Sequence, residues 1–386
     1  NCDTLSERKL RRGLERHQFF TGHALRGETM VDYQPNQVLV NEEFNVIGKR
    51  PIRHDGLDKV TGRARYGADV HMSGMLYGKV LRSPHPHAVI KSIDYSRALA
   101  LPGVKAVITA ADFPESSAEF VDQEEGAATN FGFYSRNIMA REKALYKGHA
   151  VAALAATDQH LAEQALALID VEYEILPPVM NAFDAMKSDA PILHDRLLTM
   201  TSPSFRAGAW GDAQKPTNVS NHFEFRSGDI DEGFSQADVI VEREYHTKAV
   251  HQGYIEPQAS TAFWDADDYV TIWCSTQQLF AFRDHTSIVL GVPVSRLKVI
   301  PMEIGGGFGG KGMSGLYLEP LVAMLSKKAA APVKVNLTRP EVFEGTGPTS
   351  ATHIKVKIGA SRDGKITGVK AELVYEAGAF PGSPVP

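Results

Sequence analysis

Gly305-Gly306-Gly307-Phe308-Gly309-Gly310-Lys311-Gly312 is the stretch on which the reading of this chain turns. Six of its eight residues are glycine, and glycine loses more backbone freedom on folding than any other residue. One or two glycines are enough for a turn. A run this dense implies a backbone that approaches something closely or takes dihedrals closed to other side chains. Upstream, Leu297-Lys298-Val299-Ile300 reads as a strand; downstream, Leu318, Leu321, Val322 and Leu325 recur at helical spacing. A loop between a strand and a helix can aim its N–H groups at an anion.

Two nucleotide templates fit the run in part. Gly305, Gly310 and Lys311 match the GxxxxGK phosphate loop, but Gly312 replaces the hydroxyl that should hold magnesium. Gly305, Gly307 and Gly310 match GxGxxG, yet no acidic residue ends a strand about twenty positions later. A nucleotide-binding protein is therefore one reading, and a non-catalytic scaffold protein is a second.

Working outward, strands and helices alternate on both sides of the run. Between about 70 and 180, Met75–Leu81, Val104–Ile108 and Val171–Glu174 read as strands, and Leu161, Ala165, Leu168 and Ile169 as one helix face. His149–Ala156 is a short apolar run. After a Pro-, Ser- and Asn-rich stretch, a short helix reaches Gln236, and Val239–Glu242 and Tyr269–Cys274 are strands. Leu279, Phe282, Thr286 and Val289 mark a helix that Gly291 can end. Val333–Val335, His353–Lys357 and Val369–Leu373 follow as strands, with Asp363-Gly364 as a hairpin turn. The fold class expected is α+β, divided into an N-terminal extension or linker (1–44), a first domain (45–180), a connecting segment (181–221) and a second domain (222–386). The extension carries a basic stretch at Arg8-Lys9-Leu10-Arg11-Arg12.

Composition narrows the function classes. The 386 residues are 43% hydrophobic and 23% charged, an ordinary globular balance with ample material for a core. A net charge of −5 leaves no basic footprint for nucleic acid or an anionic membrane. No apolar run approaches the roughly 20 residues of a membrane span. Only Cys2 and Cys274 are present, so neither a disulfide framework nor an iron–sulfur cluster is expected in this chain. The opening residues carry no apolar signal core, and the expectation is a cytoplasmic protein.

Five segments, in order, give the run a context. They are Gly48–Tyr66, Leu76-Tyr77-Gly78-Lys79-Val80-Leu81-Arg82-Ser83-Pro84-His85-Pro86-His87-Ala88, His251-Gln252-Gly253-Tyr254-Ile255-Glu256-Pro257-Gln258, Ser275-Thr276-Gln277-Gln278, and Glu303–Lys311. Together they resemble the molybdopterin-binding large subunit of the xanthine dehydrogenase/aldehyde oxidase family, over roughly residues 45–386. The resemblance implies an a/b hammerhead domain at 45–180 and the first part of the molybdenum-cofactor-binding domain at 222–386. It implies an enzyme, a molybdenum hydroxylase that oxidises an N-heterocycle or aldehyde with oxygen from water. The cofactor would be a molybdopterin, in a cytosine dinucleotide or simpler form. Electrons would leave through iron–sulfur clusters and FAD on partner subunits or domains.

Carried over residue by residue, Gly306, Gly307, Phe308 and Gly309 would contact the cofactor through their backbone. Gln277 would lie near the apical metal ligand, where an amide can donate without adding charge. No side chain of this chain is expected to ligate the metal. The general base belongs to the part of the family's subunit beyond Pro386, so the chain is read as an N-terminal half, completed by a second molybdopterin-binding chain or by a C-terminal half. A reductive relative acting on an aromatic acyl thioester would share every motif seen here.

Other candidates carry less. His251 and Glu256 have a ligand-like spacing but lack a third partner, and hydrogen bonding near the site is the favoured role. Lys311 is read as steadying the loop or a phosphate, or else as a solvated lysine. His85-Pro86-His87 is read as a turn. Gly312 and Met313 stand where purine-oxidising relatives carry a substrate-holding glutamate, which speaks against xanthine. Gly310 stands where carbon monoxide-oxidising relatives carry Asn.

Overall fold

The computed structural model describes residue 45 and residues 50–115, 120–123, 127–199, 215–222, 224–312 and 315–379. The extension expected at 1–44, residues 200–214 of the connecting segment, and Met313 lie outside them.

The chain divides into two compact units, Asn1–Gly62 and Arg63–Pro386. In the first, the segment Asp55–Gly62 holds a short helix, α1 (Gly56–Thr61), closed by Gly62 at φ 73°. That dihedral lies in the left-handed region where glycine pays no Cβ penalty.

The second unit begins with β1 (Leu76–Arg82), β2 (Ala88–Asp94), α2 (Ser96–Leu99) and β3 (Val104–Thr109). A hairpin of β4 (Phe120–Gln123) and β5 (Ala127–Asn130) leads into α3 (Phe131–Ile138) and β6 (Lys143–Ala144). Then come β7 (Ala150–Ala156), α4 (Gln159–Leu166), β8 (Asp170–Ile175) and α5 (Ala182–Ala185). The apolar run at 149–156 resolves into β7, buried along its whole length. It lies antiparallel between β1 and β3, and its residues alternate between two cores. Ala153 and Ala155 join the larger cluster, whereas Ala152, Leu154 and Ala156 join a smaller one with Ala162 and Ala165 of α4.

Beyond the connecting segment the order is α6 (Ile230–Ser235), β9 (Val239–Thr247), β10 (Ala259–Trp264), β11 (Val270–Cys274), α7 (Leu279–Leu290), β12 (Leu297–Pro301), α8 (Glu319–Ala329), β13 (Val333–Asn336), α9 (Arg339–Gly345), β14 (Thr352–Ala360) and β15 (Ile366–Tyr375). Gly291 ends α7 at φ 65°, and Leu321, Val322 and Leu325 of α8 are fully buried, both as the spacing predicts. β10 has no counterpart among the expected strands, and β9 runs five residues past Glu242.

One seven-stranded sheet, ordered β12-β11-β10-β13-β1-β7-β3, joins the two textured regions of the sequence. The junction is the parallel pairing of β1 with β13, where Gly78 stands opposite Val335. A Cβ on Gly78 would come 2.5 Å from Val335 Cγ2, so glycine is what lets the strands close. A separate sheet, β15-β14-β9, has two unlike faces. Lys355, Lys357, Glu242 and Glu244 share one face, on which Phe234 of α6 meets Lys357 at 4.7 Å. On the other, Val241, Tyr245, Ile358, Val369 and Leu373 are all exposed. Among the described residues no helix is long and apolar enough to cross a membrane.

Candidate cofactor site

The glycine run follows β12, on the edge of the large sheet. Its entry is pinned where the Glu303 N–H donates to Arg65 O at 2.9 Å and the Met302 N–H to Cys274 O at 2.9 Å. The dihedrals show why the residues are small: Gly306 has φ 105° and Gly309 φ 90°. Phe308 sits at φ 50° with its side chain 73% exposed. A non-glycine residue there costs roughly 1–3 kcal/mol, which the surrounding bonds must hold in place. Two tight turns close the run, Gly310 N to Gly307 O at 2.8 Å and Gly312 N to Gly309 O at 3.1 Å.

The Ser275-Thr276-Gln277 segment, extending β11, grips the far end. Gln277 N donates to Lys311 O at 2.9 Å, and Thr276 Oγ1 donates to the same carbonyl at 3.3 Å. The Gln277 side chain reaches into the loop: its Oε1 accepts from Gly309 N at 3.0 Å and from Lys311 N at 3.3 Å. Two N–H donors fix which end of this planar amide is oxygen. Its nitrogen, a donor, has no hydrogen-bond partner among the described residues. Gly307 lies directly beneath, where a Cβ would be 2.6 Å from Gln277 Oε1. The N–H groups of Gly306, Gly307 and Phe308 likewise have no partner among the described residues, whereas that of Gly309 is committed to Gln277.

Glu256 holds the other end. Its Oε2 accepts from Gly305 N at 2.7 Å and from Lys311 Nζ at 2.7 Å. Lys311 is 1% exposed, so the alternative of a solvated lysine is overturned: its ammonium is enclosed with a carboxylate and steadies the loop. Burial lowers its pKa, which the Glu256 carboxylate counters. The spacing that raised a phosphate loop thus brings no free charge to a phosphate. His251 and Glu256 do not converge. His251 Nε2 bonds Thr346 Oγ1 at 2.8 Å and its Nδ1 accepts from Gly253 N at 3.0 Å, a hydrogen-bonding role near the site. Burial lowers its pKa, so neutral imidazole is favoured. Among the described residues no three His, Cys, Asp or Glu side chains gather as a metal site. The His85–His87 stretch is a turn: His87 Nδ1 lies 2.9 Å from Pro177 O, and the His85 ring meets Tyr173 edge-on.

Glu319, which the sequence reading passed over, is buried beside Cys274 and feels the charge of Lys311. Burial pushes its carboxyl up to about 7. An acid inside an apolar helical stripe, just before Pro320, was the available signal.

The loop and its two clamps form a cradle that offers backbone donors and one amide while keeping side chains back. The sequence matches two families: "Aldehyde oxidase and xanthine dehydrogenase, a/b hammerhead domain" over residues 61–177, and "Molybdopterin cofactor-binding domain" over residues 212–385. It is 30% identical over 343 residues to the nicotinate dehydrogenase large molybdopterin subunit of Eubacterium barkeri, covering 88% of this chain and 73% of that one. It is 32% identical to the xanthine dehydrogenase molybdenum-binding subunit of Escherichia coli O157:H7, covering 85% of this chain and 41% of that one. The crystal structure of quinoline 2-oxidoreductase from Pseudomonas putida 86 superposes with a TM-score of 0.70 at 26% identity, over 86% of this chain and 40% of that one. The chain belongs to the xanthine dehydrogenase/aldehyde oxidase family of molybdopterin-binding subunits. It spans well under half the length of the second and third of these proteins.

Proposed function

We propose that this chain holds the molybdenum cofactor of a molybdenum hydroxylase acting on an N-heterocycle or aldehyde. The observation that carries the reading is the pair Gln277 and Gly307. The carbonyl end of the Gln277 amide is saturated by the loop, its nitrogen is left to donate, and the glycine beneath it leaves room. Gln277 would donate through its amide nitrogen to an oxygen ligand of the metal. Gly306, Gly307 and Phe308 would present their N–H groups to the cofactor, and Gly309 its bare Cα, around which a Cβ would meet nothing within 4 Å. When bound, the molybdopterin supplies the redox chemistry that inserts water-derived oxygen; the chain's residues bind and orient it. A preorganised amide donor costs no reorganisation during turnover.

An N-heterocycle is favoured because two of the similar proteins are named for nicotinate and quinoline. Gly312, in place of a substrate-holding glutamate, speaks against xanthine. A second molybdopterin-binding chain, or a C-terminal half, would supply the general base. Its support is the share of the relatives left uncovered and the exposed apolar face of β9, β14 and β15. Iron–sulfur and FAD partners, a cytosine dinucleotide pterin and a cytoplasmic location complete the proposal. Elemental analysis and subunit masses of the complex copurifying from the native host test it. Molybdenum and iron with further subunits are expected; a metal-free single chain would refute it.

A further inference from the structure

We infer that Glu256 is the positioning residue of the glycine loop, tying Gly305 and Lys311 to one carboxylate oxygen and so setting the direction of the N–H groups at Gly306, Gly307 and Phe308. The inference rests on the reading of this loop as the cofactor contact.

The geometry is a closed ring. Gly305 N and Lys311 Nζ both reach Glu256 Oε2, and Glu256 N donates back to Gly305 O at 3.2 Å. The backbone just ahead of Glu256 is held as well, because Arg339 donates to the carbonyl of Tyr254 at 2.9 Å and to that of Ile255. The Lys311 ammonium also lies 5.1 Å from the Tyr254 ring centre, and Tyr254 is 1% exposed. A Cβ on Gly306 would come 3.0 Å from Tyr254 Cβ, so the loop rests on the tyrosine that precedes the clamp. Gln277 takes the N–H groups of Gly309 and Lys311 from the opposite side. Between the two clamps, only residues 306–308 keep N–H groups without partners among the described residues.

A positioning role and a charge-neutralising role separate under substitution. If Glu256 only neutralised Lys311, Glu256→Gln would be as harmful as Glu256→Ala, since both strand a buried charge. If it positions the loop, Glu256→Gln is mild, because an amide oxygen accepts from both donors.

The experiment compares the native complex with Glu256→Ala, Glu256→Gln and Lys311→Met, measuring amide hydrogen exchange across 303–312, molybdenum per chain and melting temperature. For Glu256→Ala the inference expects loop exchange faster, and molybdenum lower, by roughly tenfold or more, with the rest of the chain still protected. Glu256→Gln should stay within about threefold of the parent, with Lys311→Met between the two. Unchanged loop exchange and molybdenum in Glu256→Ala overturn it, as does equal damage from Glu256→Gln. Should Glu256→Ala fail to assemble, Lys311→Met decides, and parent-like loop exchange there overturns the inference. If the parent complex holds no molybdenum yet the loop exchange responds in this order, the positioning role stands and the cofactor reading falls.

Discussion

A Cβ placed on Gly307 would lie 2.6 Å from Oε1 of Gln277 and 2.8 Å from its Cδ. Gly307→Val therefore expels the Gln277 carboxamide from its seat and releases the N–H groups of Gly309 and Lys311. The expected result is a folded chain whose molybdenum content falls by roughly tenfold or more. Metal analysis of the assembled complex checks this, and parent-like content would refute it.

Gln277→Ala removes the amide without adding bulk. The assembled enzyme should keep its fold and much of its molybdenum while kcat drops by roughly 10²-fold, the usual scale for losing one oriented donor. Steady-state kinetics beside metal content separates this from a binding defect. Full turnover would remove Gln277 from the site.

Glu319 makes stability fall as pH rises. Burial first of all raises its carboxyl from 4.5 to about 7, so the folded chain holds this proton where the unfolded chain has lost it. The group's contribution is fully present below pH 4.5 and is lost as pH climbs through 7, about 3 kcal/mol at about 1.4 kcal/mol per pKa unit. Glu319→Gln should be more stable than the parent at pH 8 and less sensitive between pH 5 and 8, as denaturant titrations would show.

Three buried histidines act in the opposite sense. Burial lowers His149 to about 3 and His194 and His285 to about 4. Each contributes stability that is present above pH 6.5 and lost as pH falls toward those values, by up to about 1.4 kcal/mol per pH unit. The melting temperature should drop steeply below pH 6. His285→Phe, against the edge-on rings of Phe131 and Tyr134, should shallow that slope; an unchanged slope would exclude His285 as a contributor.

The apolar sheet face gives a fifth expectation. Val369 and Leu373 are 50% and 48% exposed, so Val369→Asp with Leu373→Asp leaves this chain folded. If the proposed second chain or C-terminal half packs on this face, it should then dissociate or mispack, read by copurification and gel filtration. Undisturbed assembly would show that this face is not where it docks.

Much of the fold was legible because periodicity follows from local geometry. The stripe Leu318, Leu321, Val322 and Leu325, the stop at Gly291 and the turn at Asp363-Gly364 each depend on neighbours in sequence, and each is observed. β10 was not, because Ala259–Thr261 are small or polar residues buried by partners far along the chain. His149–Ala156 left strand and helix unresolved, since burial on both faces erases alternation.

The sequence by itself determined that a glycine loop sits between a strand and a helix, from spacing and residue type; Gln277 is joined to that loop only through the family resemblance. Only the tertiary structure decided which groups the loop keeps free. Glu256 and Lys311 are 55 positions apart, Gln277 and Gly309 are 32 apart, and β1 meets β13 across most of the chain. Such pairings depend on how the strands order in the sheet, which no local pattern encodes. That is why Lys311 could be read as solvated from the sequence and is found buried against a carboxylate.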